Sequence, residues 1–177
     1  MKQRKIQQKT GVETNMQLIF FRHGEAEEVN AMGEDAIRSL TDKGAKRTKR
    51  MGKMLAQLIP AQCRTQIWSS PLLRARQTAD ILSERLAAKV KLHDAISNGD
   101  FESLRLLLDQ CQKEDCVIVV GHQPFLGEWT NQLTGVNPPF RKSAAVGMRY
   151  VQAAKQQGEY DAELLWYIQP NFSKCCR

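Results

Sequence analysis

Apolar positions along the chain follow two rhythms. Short unbroken runs of four residues, Leu18–Phe21 and Val117–Val120, are the mark of strands buried on both faces of a sheet. Elsewhere apolar residues recur at steps of three and four, which lays one stripe along a helix. Gln17–Phe21 reads as a strand that ends at Arg22-His23-Gly24. Thr41 is placed to cap a helix reaching about Ile59, with Thr48, Met51, Gly52, Leu55, Leu58 and Ile59 on one face. Gln66–Trp68 is a short strand, and Ser70-Pro71 reads as an N-cap followed by proline at the first helical position. The helix after it aligns Leu72, Ala75, Ala79, Leu82 and Leu86 as a core stripe. Val90–Leu92 is a weak strand, Phe101–Gln112 a helix, Val117–Val120 a buried strand and Pro124 to about Leu133 a short helix. Two strands, Ala144–Val151 and Glu163–Ile168, close the pattern through a turn near Gly158. Strands alternating with helices predict an α/β fold: a three-layer sandwich with a mostly parallel central sheet flanked by helices.

Length and charge sharpen this picture. A chain of 177 residues fits one domain, read here as residues 16–170 between a basic leader (1–15) and a short tail (171–177). The 26 Lys and Arg against 19 Asp and Glu leave a net charge of +7, which invites a nucleic-acid or membrane surface as partner. The excess is uneven, however: Lys2, Arg4, Lys5 and Lys9 against Glu13 place three of the seven charges in the leader. No recognition motif or aromatic-interleaved basic stripe accompanies the rest, and no apolar run approaches the roughly 18 residues of a membrane span. Neither nucleic acid nor membrane is expected. The leader has no apolar stretch or cleavage site of a secretory signal. Five cysteines without a C-x-x-C pair point to reduced thiols in a cytoplasmic protein rather than a disulfide framework or zinc site.

Two of the three histidines share a context. His23 follows the first strand in Arg22-His23-Gly24-Glu25, and His122 follows a later one in Gly121-His122-Gln123-Pro124. In open α/β sheets ligands bind outside the carboxyl ends of strands, so both histidines belong on that edge. His93 also ends a strand but lacks the adjacent glycine and reads as structural. A third strand end delivers Ser69-Ser70-Pro71-Leu72-Leu73-Arg74. Arg74 falls in the first turn of a helix, where a cation opposes the dipole, and a residue set against local preference suggests an anion to hold. Arg76 and Arg85 read as surface charges, and Trp129 as core with Phe125 and Leu133.

Arg-His-Gly-Glu after the first strand, Ser-Ser-Pro-x-x-Arg-Ala-x-Gln-Thr after the second and Gly-His-x-Pro after a later one resemble the histidine phosphatase superfamily, the RHG or phosphoglycerate mutase-like group. The resemblance runs from about Met16 to at least Tyr150. It implies a phosphoglycerate mutase-like fold, His23 as a nucleophile phosphorylated during turnover, and Arg22, Arg74 and His122 as ligands of the phosphoryl oxygens. The chemistry agrees with the residue types. A neutral imidazole is a nucleophile, guanidiniums offer forked donors to phosphate, and a protonated His122 would add one more. No acidic cluster suited to magnesium stands beside the motifs, so neither metal nor other cofactor is expected.

Arg74 and His122 lie 48 residues apart, a span filled by one helix, a strand and another helix with no room for a cap insertion. That compactness resembles SixA-type phosphohistidine phosphatases, whose open site admits a residue displayed on another protein. The second discriminator is the general acid. Ester substrates leave as basic alkoxides and need a proton donor, whereas phosphohistidine leaves as imidazole, with pKa about 6.5. Asp94 is the nearest candidate acid, with Asp100 behind it, and neither sits in a convincing motif. The expectation is a metal-independent phosphatase removing phosphate from histidine on a partner protein of the histidine-phosphotransfer type. Two alternatives stay open: a phosphomonoesterase or mutase acting on a small phosphorylated metabolite through Asp94, and an inactive module that binds phosphoprotein.

Overall fold

The computed structural model describes residues 15–29, 35–151 and 161–170. The leader, the turn near Gly158 and the tail lie outside the described residues. Six strands, β1 (Asn15–Arg22), β2 (Arg64–Ser69), β3 (Lys89–Leu92), β4 (Asp115–Gly121), β5 (Ala145–Val151) and β6 (Ala162–Ile168), form one sheet in the order β3-β2-β4-β1-β5-β6. The β3-β2-β4-β1 half is parallel throughout. β5 runs antiparallel to both β1 and β6, so the sheet is mixed, mostly parallel.

The two inner strands are buried on both faces because each face carries helices. On β1, Leu18 and Phe20 enter one core with Trp68, Val117, Val119, Leu104 and Trp129. Ile19 and Phe21, one residue out of phase, enter the other with Ile67, Ile118, Val120, Met51, Ala79 and Leu82. The period of two thus builds a three-layer sandwich from an apolar run that shows no alternation of its own. Helices α1 (Asp42–Leu58) and α2 (Leu73–Leu86) supply the second core. The first takes α3 (Asp94–Asn98), α4 (Phe101–Leu108) and α5 (Phe125–Thr134).

Helix α1 starts where the sequence places it: the Thr41 hydroxyl accepts the Gly44 N–H at 3.0 Å. Its stripe is narrower than expected, since Leu58 is exposed. Helix α2 begins three residues after Ser70, with Leu72 as a cap that offers no side-chain bond. Ser70 is therefore not an N-cap and Pro71 not the first helical residue; the hydroxyl is engaged elsewhere. The helix expected over Phe101–Gln112 closes at Leu108, where the Asp109 N–H bonds back to Arg105 and Leu107. The five-residue α3 was not foreseen.

Candidate active site

Three adjacent parallel strands, β2, β4 and β1, end on the same sheet edge, and each delivers one motif there. The His23 N–H donates to the Gly121 carbonyl at 3.1 Å, and the Ser70 N–H to Val120 at 3.1 Å. Ser143 N–H is shared between the Arg22 and His23 carbonyls, both at 3.1 Å. The Arg22–His23 loop is thus tied to the neighbouring strand ends by its own backbone. Gly24 completes the tie: its N–H donates to Thr78 Oγ1 at 3.0 Å, and that hydroxyl donates to the Arg74 carbonyl at 2.7 Å. A Cβ on Gly24 would stand 2.8 Å from Thr48 Oγ1, so the close approach requires glycine.

The two histidine rings face each other with centroids 5.0 Å apart. His23, Arg74 and His122 are 7%, 6% and 7% exposed. His23 Nδ1 lies 2.7 Å from the Gly24 carbonyl. A carbonyl only accepts, so Nδ1 carries the proton and the neutral ring holds its lone pair on Nε2. Burial, opposed by the Gly24 bond and reinforced by His122, Arg74 and Arg22, pushes the His23 pKa down to about 3. The ring is therefore neutral and nucleophilic at any physiological pH.

His122 is also neutral. Burial, with Arg74 next, lowers its pKa to about 4, which favours the neutral ring in the free protein over the protonated form considered from the sequence. Its Nε2 is 2.8 Å from Ser70 Oγ, a hydroxyl that already accepts the Leu72 N–H at 3.2 Å. We assign the serine proton to His122 Nε2, which leaves Nδ1–H as the donor of the ring.

The arginines are held by their outer nitrogens. Arg22 Nη1 donates to the Phe140 carbonyl at 2.7 Å. Arg74 gives Nη1 to the Asp35 carbonyl and Nη2 to Asp35 Oδ2, each at 2.8 Å. Burial would raise the Asp35 carboxyl, but hydrogen bonds from Arg38 and Arg74 hold it below the usual carboxylate range. Of the five buried nitrogens without a partner among the described residues, three belong to the motif residues, Arg22 Nε, Arg74 Nε and His122 Nδ1, and the other two to Trp68 and His93. A buried unpaired donor costs about 1–3 kcal/mol, and three such donors beside the His23 ring are groups that a tetrahedral oxyanion would satisfy.

Arg22, His23, Arg74 and His122 are therefore brought together as the sequence suggested. Asp94 is not among them: it is exposed in the first turn of α3. Asp100 caps α4 by accepting the Ser103 N–H. His93 packs its ring on Trp68, a structural role. Glu25 pairs with Lys43 and Arg47. The sequence reading missed Asp35, which lies in a polar stretch without periodicity, and the roles of Ser70, Gln77 and Thr78. The last two stand in the quoted motif, where Gln77 Oε1 accepts the Leu40 N–H at 2.6 Å. Among the described residues no three of His, Cys, Asp or Glu are grouped to hold a metal ion, and no helix is long and apolar enough to cross a membrane.

A protein-family model described as histidine phosphatase superfamily (branch 1) matches residues 18–110, more than half of the chain. An uncharacterized protein of Picosynechococcus sp. is 37% identical over 168 residues, covering 89% of this chain and 98% of its own. Among solved structures, the protein histidine phosphatase SixA complexed with tungstate is 23% identical, with TM-score 0.72 over 88% of this chain and 97% of that one. SixA from Agrobacterium tumefaciens is 17% identical, with TM-score 0.70 over 88% and 99%. Those two likenesses establish the fold. With the family match spanning β1 to α4, this chain belongs to the histidine phosphatase superfamily.

Proposed function

We propose that this phosphatase hydrolyses phosphohistidine on a partner protein through a covalent intermediate on His23. The carrying observation is the set of unpartnered donors, Arg22 Nε, Arg74 Nε and His122 Nδ1, around a neutral ring whose Nδ1 is fixed to the Gly24 carbonyl. His23 Nε2 attacks phosphorus as the bond to the leaving nitrogen breaks. The electron pair goes to the substrate ring, which departs as neutral imidazole when its other nitrogen carries a proton. The positive charge arising on His23 is held by Nδ1–H on Gly24, and the phosphoryl oxygens by the three donors. Water then attacks phosphorus, the His23–phosphorus bond breaks, and inorganic phosphate leaves with the pair returned to Nε2.

Tungstate, a tetrahedral oxyanion, is bound in a SixA structure of the same fold, which supports a phosphoryl site here. The absence of a cap between Arg74 and His122 favours a substrate displayed on a protein. Ester cleavage would instead require a proton from Asp94, whose exposed position on α3 gives that reading no supporting contact. Residues 16–170 are taken as the catalytic unit and the cytoplasm as its location, in keeping with the thiols of Cys63 and Cys116. A panel pairing a phosphohistidine protein with phosphoserine and sugar-phosphate compounds tests the reading. Turnover of the first, unchanged in Asp94→Asn, is expected. Preference for the esters, abolished in Asp94→Asn, would establish the metabolite reading instead. Oxyanion binding without turnover of any compound would leave a binding module.

A further inference from the structure

Just before β5 begins and just after β6 ends, on the sheet edge that carries His23, a cavity of about 230 Å³ is lined by Arg47, Arg141, Lys142, Gln169 and Pro170. We propose that it is a second anion site, which receives an acidic side chain of the protein substrate flanking its phosphorylated residue. The proposal rests on the phosphoprotein reading above and names the surface that reading requires.

Among the described residues, three cations and no carboxylate line this cavity. Arg141 and Lys142 are exposed and form no ion pair among the described residues. Arg47 gives Nη1 to Glu25 at 2.9 Å, and the rest of its fork has no partner among the described residues. The Tyr167 hydroxyl gives its proton to the Pro139 carbonyl at 2.6 Å, with Gln169 Oε1 a weaker second acceptor at 3.3 Å, and the Gln169 amide nitrogen is a further donor. The lining is thus rich in donors, the composition that suits a carboxylate.

The backbone that carries Arg141 and Lys142 is also fixed. They lie within a turn closed by the Ala144 N–H on the Arg141 carbonyl at 2.8 Å. Ser143 holds a left-handed φ of 61° there, an uncommon state for a residue other than glycine. Arg22 grips the turn on both sides, through Nη1 on the Phe140 carbonyl and its own N–H on Ala144 at 3.0 Å, while Ser143 N–H bonds the His23 carbonyl. The same hydrogen bonds that seat the nucleophile therefore fix Arg141 and Lys142 beside it. An extended substrate segment rises roughly 3.3 Å per residue, so a side chain two positions from the phosphorylated one lies roughly 7 Å away along the chain.

The test compares three substrates at low ionic strength, where exposed charges are least screened. They are a phosphohistidine peptide with Glu at the flanking positions, the same peptide with Gln there, and free phosphohistidine. The expected KM is about fivefold to tenfold lower for the Glu peptide, the range of two partly screened ion pairs. In the double variant Arg141→Glu, Lys142→Glu that advantage disappears, while kcat and the turnover of free phosphohistidine stay unchanged. Equal KM for the two peptides in the parent protein, or an acidic preference that survives the double variant, overturns the site. An unphosphorylated Glu peptide, tested as a competitor of p-nitrophenyl phosphate, separates the two readings. If it competes and no phosphohistidine is hydrolysed, the substrate reading fails while the anion site stands.

Discussion

Replacing Asp35 by alanine should weaken phosphoryl binding by misplacing Arg74. The Asp35 carboxylate holds Arg74 Nη2 at 2.8 Å and its carbonyl holds Nη1, so Arg74 keeps its Nε–H and the second N–H of each outer nitrogen for the substrate. The segment is itself anchored to α2, since the Leu73 N–H donates to the Ala36 carbonyl at 3.1 Å. Alanine keeps both backbone contacts and removes the charged one. A charge-assisted hydrogen bond is worth about 1.5–3 kcal/mol. Asp35 is 49% exposed at its side chain and shares its charge with Arg38, so solvent screening reduces this to about 1–2 kcal/mol. That corresponds to a rise of about 5- to 30-fold in the dissociation constant of tungstate or vanadate. Asp35→Asn, whose amide oxygen still accepts from Nη2, should lose less. The assay is oxyanion titration by calorimetry alongside kcat and KM, with the thermal midpoint as a folding control. Tighter oxyanion binding in Asp35→Ala would refute the reasoning, because it would mean that Asp35 competes with phosphate for Arg74 instead of positioning it.

Ser70→Ala removes the only described partner of His122 Nε2 inside a fully buried site; a loss of about 1–3 kcal/mol in denaturant unfolding, with a fall in kcat, is expected. Gly44→Ala would drive a Cβ into the Glu25 carbonyl, two residues from His23. About 1–3 kcal/mol of destabilisation follows for such overpacking, and weaker oxyanion binding should accompany it. Stability should also depend on pH. His23 and His122 titrate at about 3 and about 4 when folded, against about 6.5 when unfolded. The unfolded chain therefore takes up more protons between these values, so stability is complete above pH 6.5 and declines as pH falls toward 3. In His23→Gln the acid decline of the unfolding free energy should be shallower; an unchanged slope would contradict the pKa assignment.

How much of this was legible in the sequence depends on how local each signal is. Arg22, His23 and His122 end strands whose apolar runs announce themselves, and parallel order then forces them onto one edge. Arg74 was legible because it stands against the helix dipole. Asp35 was not, for its partner is 39 residues away and its neighbours are polar. Ser70 was misread for a physical reason: its hydroxyl does accept a backbone N–H, but that of Leu72 in a turn ahead of the helix, while its proton is assigned to His122 arriving from β4. Helix α3 is too short to show a period, and only Ile96 in it is buried. Helix α4 ends early as Asp109 turns its carboxylate to the Tyr150 hydroxyl at 2.6 Å, a long-range contact with no local trace.

The central claim is that phosphate passes through His23 Nε2. Rapid acid-free quenching during turnover of a radiolabelled phosphohistidine protein, followed by peptide mapping, measures this directly. The account predicts an acid-labile, alkali-stable phosphate on the peptide carrying His23, formed in the presence of a chelator and missing in His23→Ala. Turnover that persists in His23→Ala, or label found on any other residue, would contradict it.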